Sequence, residues 1–305
     1  MKKFFFIAAC AVAVSAAAWA QSESCNAQTT TENCCNAGES TECCAAVGTF
    51  DVQDFGNFKL HTYLSGDQMD DASFIIEGAD SLVTMEQPLF KANAATYDKY
   101  IKSLGKPVAH RISDFHLGNT GAETLLVPAG MTEVFKGPEY SGMMAHFANQ
   151  YGDAIVALPT GKTEEVAFDT TVTLAGVPFT FTKGASNDFP GADILIGKDV
   201  VYMHFAPAKA HTNALYASSV AGVEARIAEL EQALATGAKL FVGSHGLPGT
   251  ADDVRFLIDY LKKVQQLRAS QSDAESFVTA LTAAYPGLPG ADGLGDFAKA
   301  LYAAE

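Results

Sequence analysis

The sequence predicts a layered α/β sandwich, and three observations carry that reading. Runs of alternating apolar and polar residues are followed by helical periodicity, and this β-then-α order occurs twice along the chain. Hydrophobic residues make up 48% of the 305 and charged residues 18%, a balance that supports a packed core and excludes a wholly disordered chain. Neither a heptad nor a glycine period appears, which excludes a coiled-coil or collagen-like rod.

The elements follow in order. Thr49–Phe55 and Phe58–Leu64 alternate around Gly56-Asn57 and predict a hairpin. Ala72–Glu77 and Ser81–Met85 predict two more strands around Gly78-Ala79-Asp80. Tyr97, Tyr100, Ile101 and Leu104 share one face of a helix over Lys91–Leu104. Pro107–Ile112 predicts a strand that enters a polar loop, Ser113–Gly121, and Gly137–Tyr151 predicts a helix. Thr163–Phe205 is again strand-rich, with turns at Ala175-Gly176 and Gly197-Lys198. Val223, Ile227, Leu230 and Leu234 mark an amphipathic helix, and Lys239–Gly243 a short buried strand. Thr250 and Asp253 form a capping box for a helix whose stripe is Val254, Leu257, Ile258, Leu261 and Val264. Residues 272–303 predict two last helices split by Pro286–Gly295.

Ahead of this body stand two segments of different character. Residues 1–20 have a basic start at Lys2-Lys3, an apolar run and Ala18-Trp19-Ala20, the pattern of a signal peptide cleaved near Ala20. Export to the periplasm or beyond follows, and the mature chain then has no apolar run long enough to span a membrane. Residues 21–46 form a low-complexity tail that contains all five cysteines of the mature chain: Cys25, Cys34, Cys35, Cys43 and Cys44. In an exported chain these read first as disulfides, with the odd thiol left for an interchain bridge, and second as a soft-metal or redox site. Residues 47–305, the body, have no cysteine.

With 20 Lys and Arg against 35 Asp and Glu, the net charge is −15; removing residues 1–20 takes two lysines with it and leaves −17. Phosphate backbones need clustered cations, so nucleic acid is excluded as a partner and a small molecule is the expected one.

Two segments carry a family resemblance. Gly243-Ser244-His245-Gly246-Leu247-Pro248-Gly249-Thr250, with the helix after it, resembles the late strand–Gly-His-Gly–helix unit of the metallo-β-lactamase-fold hydrolase superfamily. Ser113-Asp114-Phe115-His116-Leu117-Gly118-Asn119 stands where that family places its metal motif, His-x-His-x-Asp-His, and Phe58–Pro88 resembles the opening strands. The resemblance spans about residues 50–265 and implies a four-layer αββα sandwich with the site at one edge of two sheets; the domain is expected over residues 47–305, with a C-terminal helical extension. It also implies a degenerate metal motif. His116 and His245 are retained; Asp114 and His204 offer replacement ligands; Gly118 removes the motif carboxylate, and Asn119 is a poor zinc ligand. The region of the third family histidine has Ser186 and Asp188 instead.

The cofactor reading is therefore one zinc or iron ion, or none. A tetrahedral site closed by all four of Asp114, His116, His204 and His245 would be structural; catalysis needs one of them to stay off the ion. Restoring Gly118→Asp with Asn119→His is expected to raise the metal count. Of the other histidines, His61 and His110 read as structural, while His146 and His211 are weak cleft candidates. Three functions compete: hydrolysis of an ester, lactone, thioester or amide by one metal-activated water, a catalytically inactive binding protein on the same fold, and metal or redox handling by the tail.

Overall fold

In a computed structural model the chain divides into two compact units, Met1–Ala45 and Ala46–Glu305. The structure describes residues 47–118, 121, 123–185 and 190–303; the signal and tail assignments, including the five cysteines, lie outside them, as do Asn119, Ser186 and Asp188.

The second unit is the four-layer αββα sandwich that the resemblance implied. One sheet has seven strands in sequence order: β1 (Thr49–Asp54), β2 (Lys59–Leu64), β3 (Ala72–Glu77), β4 (Leu82–Met85), β5 (Val108–Ile112), β6 (Leu125–Pro128) and β7 (Thr163–Val166). Its first four strands are antiparallel and its last four run parallel. The other sheet has β8 (Thr170–Leu174), β9 (Val177–Lys183), β10 (Ala192–Ile196), β11 (Val200–Tyr202) and β12 (Leu240–Val242) in the order β12-β11-β10-β9-β8, with β11 and β12 parallel. The expected hairpin at Gly56 and the turns at Gly176 and Gly197 are all present.

The layers follow from the two-residue period of a strand. Phe74 and Ile76 of β3 enter the core between the sheets, together with Tyr202 of β11 and Val242 of β12. Ile75, one residue out of phase, faces helix α1 (Lys91–Ser103) with Tyr97 and Ile101. Val201 and Phe241 face the opposite way, into a core with α4 (Val220–Ala235), α5 (Ala251–Ser270), α6 (Ala274–Ala284) and α7 (Leu294–Tyr302). Each Phe fully buried this way contributes about 2–3 kcal/mol of transfer free energy. The capping box at Thr250 and Asp253 starts α5, and its predicted stripe is buried throughout. Thus α6 and α7 are part of the sheet-covering layer.

Two elements were not read from the sequence: β6 and the six-residue helix α2 (Met131–Lys136), which precede α3 (Pro138–Tyr151). Both are shorter than the window in which periodicity becomes visible. Met143 and Met144 pack against this corner, with Tyr140 and Leu117.

Candidate metal centre

The loops that leave the strand ends converge at one edge of the sandwich. Glu86 directly follows β4, Asp114 and His116 follow β5, His204 follows β11, and His245 follows β12. The close approach of the last two depends on Gly243. A Cβ there would stand 2.3 Å from the Ala206 nitrogen and 2.6 Å from the Met203 carbonyl oxygen, so only glycine lets the chain after β12 lie against the chain after β11. Hydrogen bonds from His245 N to His204 O (3.2 Å) and from Ala206 N to His245 O (2.9 Å) then hold the two histidines side by side.

His116, His204 and His245 form one cluster. A ligand-capable atom from each lies within 4.8 Å of the others, and the ring centroids are 5.0–5.5 Å apart. Each ring also faces a buried carboxylate through Nδ1. Glu86 Oε2 is 3.6 Å from His116, Asp114 Oδ2 is 3.6 Å from His204, and Asp71 Oδ1 is 3.2 Å from His245. A carboxylate thus stands next to each ring, within ion-pair distance, the arrangement from which orienting partners of imidazole ligands are drawn.

Asp114 takes a different place from the one expected of a ligand. It is fully buried behind His204; its Oδ1 accepts from Ala192 N at 2.7 Å and its Oδ2 from the Tyr202 hydroxyl at 3.4 Å. The group with metal-ligand spacing among the described residues is the three histidines without it.

Glu86 and Asp71 were not read from the sequence. Glu86 is a wholly buried carboxylate with a left-handed backbone, φ 54°. It accepts from the backbone N–H groups of Asp114, Phe115 and His116 and from the Ser244 hydroxyl, and so anchors the whole His116 loop. The Ser244 hydroxyl meets that of Tyr202, which reaches Asp114. One buried chain of polar groups, Glu86–Ser244–Tyr202–Asp114, therefore ties the ends of both sheets under the cluster.

The electrostatics favour a cation. Burial pushes Asp71 up to about 6 and Asp114 up to about 7, and it raises Glu86 as well. Burial also lowers His204 to about 3 and His245 well below the usual histidine value, so both stay unprotonated and able to donate an electron pair. Among the described residues no lysine or arginine forms an ion pair with any of the three carboxylates. Neutral imidazoles backed by uncompensated carboxylates suit a borderline divalent ion such as zinc or iron.

Gly118 sits at φ 52°, and a Cβ on it would lie 2.1 Å from Cβ of the buried Gln87. A side chain at Gly118 would therefore meet Gln87 in this conformation.

The other histidines lie elsewhere. His61 is bonded to Tyr100 and Glu77, and His211 to the Tyr260 hydroxyl at 3.0 Å; His146 is exposed on α3, and His110 is half-buried in β5.

No family model matches the sequence, and no curated protein matches it. Solved structures do match. A β-lactamase domain protein from Burkholderia ambifaria is 12% identical, with 82% of this chain and 86% of that chain covered and a TM-score of 0.55. A metallo-β-lactamase family protein from Thermus thermophilus is 13% identical, with 80% and 90% covered and a TM-score of 0.54. A stereoselective inverting sec-alkylsulfatase from Pseudomonas sp. is 15% identical over 80% of this chain, which spans 48% of the enzyme, with a TM-score of 0.55. The likeness is one of fold, and the fold is that of the metallo-β-lactamases.

Proposed function

We propose that the chain is an exported hydrolase that works with a single transition-metal ion held by His116, His204 and His245. The observation that carries this reading is the cluster itself: three imidazoles that each offer a ligand atom within 4.8 Å of the others, each with a buried carboxylate next to it. Three protein ligands leave a tetrahedral ion one open position, the catalytic pattern, whereas four would close it. The withdrawal of Asp114 behind His204 supports the open form.

A zinc or iron ion held by His116, His204 and His245 would supply Lewis acidity and a water nucleophile suited to an ester, lactone, thioester or amide carbonyl. The residues of the chain do the rest. Glu86, Asp114 and Asp71 stand behind the three rings as their orienting partners in this reading, and the Glu86–Ser244–Tyr202 link ties the two sheet ends together. Export is part of the proposal and rests on Lys2-Lys3 and Ala18-Trp19-Ala20.

Elemental analysis of the full chain, purified from periplasm without chelator, tests this directly. The expected result is one ion per chain with hydrolysis of simple carboxylic esters that His116→Ala abolishes. Two ions per chain overturn the remodelled site, and none after incubation with zinc favours the inactive binding protein. Mass spectrometry that finds an intact Met1 in the native protein rejects export by cleavage near Ala20.

A further inference from the structure

A cavity opens beside His204. Its walls are Phe205, Leu215, Tyr216 and Ala217, and Arg226 and Glu229 lie at its base. The walls are apolar and partly rigid: Phe205 meets Tyr216 edge to face at 4.4 Å between centroids and stacks on His245 at 5.4 Å. Leu215 is 73% exposed at this lining. A lone exposed leucine means little, but one that lines a cavity beside a metal-type cluster extends its apolar wall.

The base carries charge and has none to spare. Arg226 is 5% exposed, pairs with Glu229 and donates to the Phe205 carbonyl. Glu229 accepts from Ala185 N at 2.8 Å. Among the described residues three acidic side chains line the cavity, Asp114, Asp193 and Glu229, with Arg226 as the one guanidinium. A carboxylate or phosphate entering here would shed its water beside buried carboxyl groups and find the Arg226 guanidinium, the one cation among the described lining residues, already paired with Glu229.

We propose that this cavity receives an uncharged, apolar group of the substrate, an alkyl or aryl substituent next to the bond that is cut. The proposal rests on the single-ion hydrolase reading and narrows it: esters or thioesters of uncharged aliphatic or aromatic groups are accepted, and those with a second anionic group are refused. The exposed wall makes the selection testable without disturbing the core.

The test uses the full chain loaded with Co²⁺ and three thiols that differ only in the tail they offer: benzyl mercaptan, mercaptosuccinate and 3-mercaptopropionate. The thiolate-to-cobalt absorption band reports binding. Benzyl mercaptan is expected to bind at least tenfold more tightly than either charged thiol. Leu215→Asp and Ser218→Trp, at exposed lining positions, are expected to erase that preference with cobalt content unchanged. Equal or tighter binding of either charged thiol, or a preference that survives both variants, overturns the proposal. The ion-free chain provides an independent arm, in which benzyl alcohol shifts the Ala217 methyl resonance and benzoate does not. A shift with benzoate, or none with benzyl alcohol, also overturns it. No cobalt uptake together with the benzyl alcohol shift sinks the metal reading and leaves the pocket standing.

Discussion

His61 and the clustered histidines are the same side chain in opposite circumstances. His61 is 3% exposed on β2, and both ring nitrogens are used: Nδ1 lies 2.8 Å from the Tyr100 hydroxyl and Nε2 lies 3.0 Å from Glu77. Glu77 is in turn compensated by Lys106 at 2.7 Å. In the cluster the carboxylates stand 3.2–3.6 Å from Nδ1, and Asp71 Oδ1 and His116 Nδ1 are buried without a hydrogen-bond partner. A histidine whose nitrogens and counter-charge are all satisfied is architecture. Histidines that face one another with uncompensated acids behind them are a site prepared for a cation.

The comparison breaks most visibly if a cluster histidine is removed. His116→Ala, His204→Ala and His245→Ala should each reduce zinc content after dialysis to less than about a tenth of wild type, since each takes a third of the ligand set. His61→Ala should leave zinc content unchanged. Equal losses in all four variants would mean that the cluster is not the metal centre.

The partners come next. Asp71→Asn, Asp114→Asn and Glu86→Gln should each weaken zinc binding about 10–100-fold, the usual cost of losing an orienting partner, and Glu77→Gln should not. Competition with a chromophoric chelator measures this. Glu86→Gln should also lower stability by about 1–3 kcal/mol, because a buried oxygen that accepts backbone N–H groups is replaced by a donor. Full zinc affinity in all three variants would reduce the carboxylates to packing.

Gly118→Asp sharpens the contrast from another side. The left-handed backbone and the 2.1 Å approach to Gln87 predict a loss of about 2 kcal/mol or more, with no second ion gained. Paired urea melts and elemental analysis decide it; a stable variant with two ions would show that the loop can reopen.

These residues also mark how far the sequence could be read. Strand alternation and the α5 capping box are local, so both sheets and most helices were legible without any contact information. His116 and His245 stood out because each sits in a motif, and His204 because it ends a strand. Glu86 had no such signal: its partner Ser244 is 158 residues away, and only the sheet topology brings them together. Asp71 reaches His245 through a single bridge between distant segments. Asp114 was legible as a residue of the site but not in its role, because its place behind His204 depends on Ala192 and Tyr202 in the other sheet. The candidate ligands are written along the chain; the carboxylates beside them are written in the fold.

The smallest expected effect tests the architectural side of the comparison. Burial holds His61 below its ordinary value of 6.5, although the Glu77 hydrogen bond and charge pull it upward. The Lys106 hydrogen bond, first among its causes, holds Glu77 below 4.5. Both folded-state values are depressed, so both groups contribute stability that is present at neutral pH and lost on acidification. His61 gives up its share as pH falls below about 6.5, where the unfolded chain takes up a proton that the folded chain refuses. Glu77 follows below about 4.5, where the unfolded carboxylate protonates first. Between pH 7 and 5 the wild type should therefore lose more stability than His61→Gln, with a difference in slope no larger than about 1.4 kcal/mol per pH unit, the limit for one proton. Urea melts of the two proteins at matched ionic strength measure it, and taking the difference cancels whatever the two proteins share. Identical slopes would show that His61 keeps its proton equilibrium on folding and that its environment is less closed than its hydrogen bonds require. A steeper slope in His61→Gln would reverse the sign and make the Glu77 attraction stronger than burial.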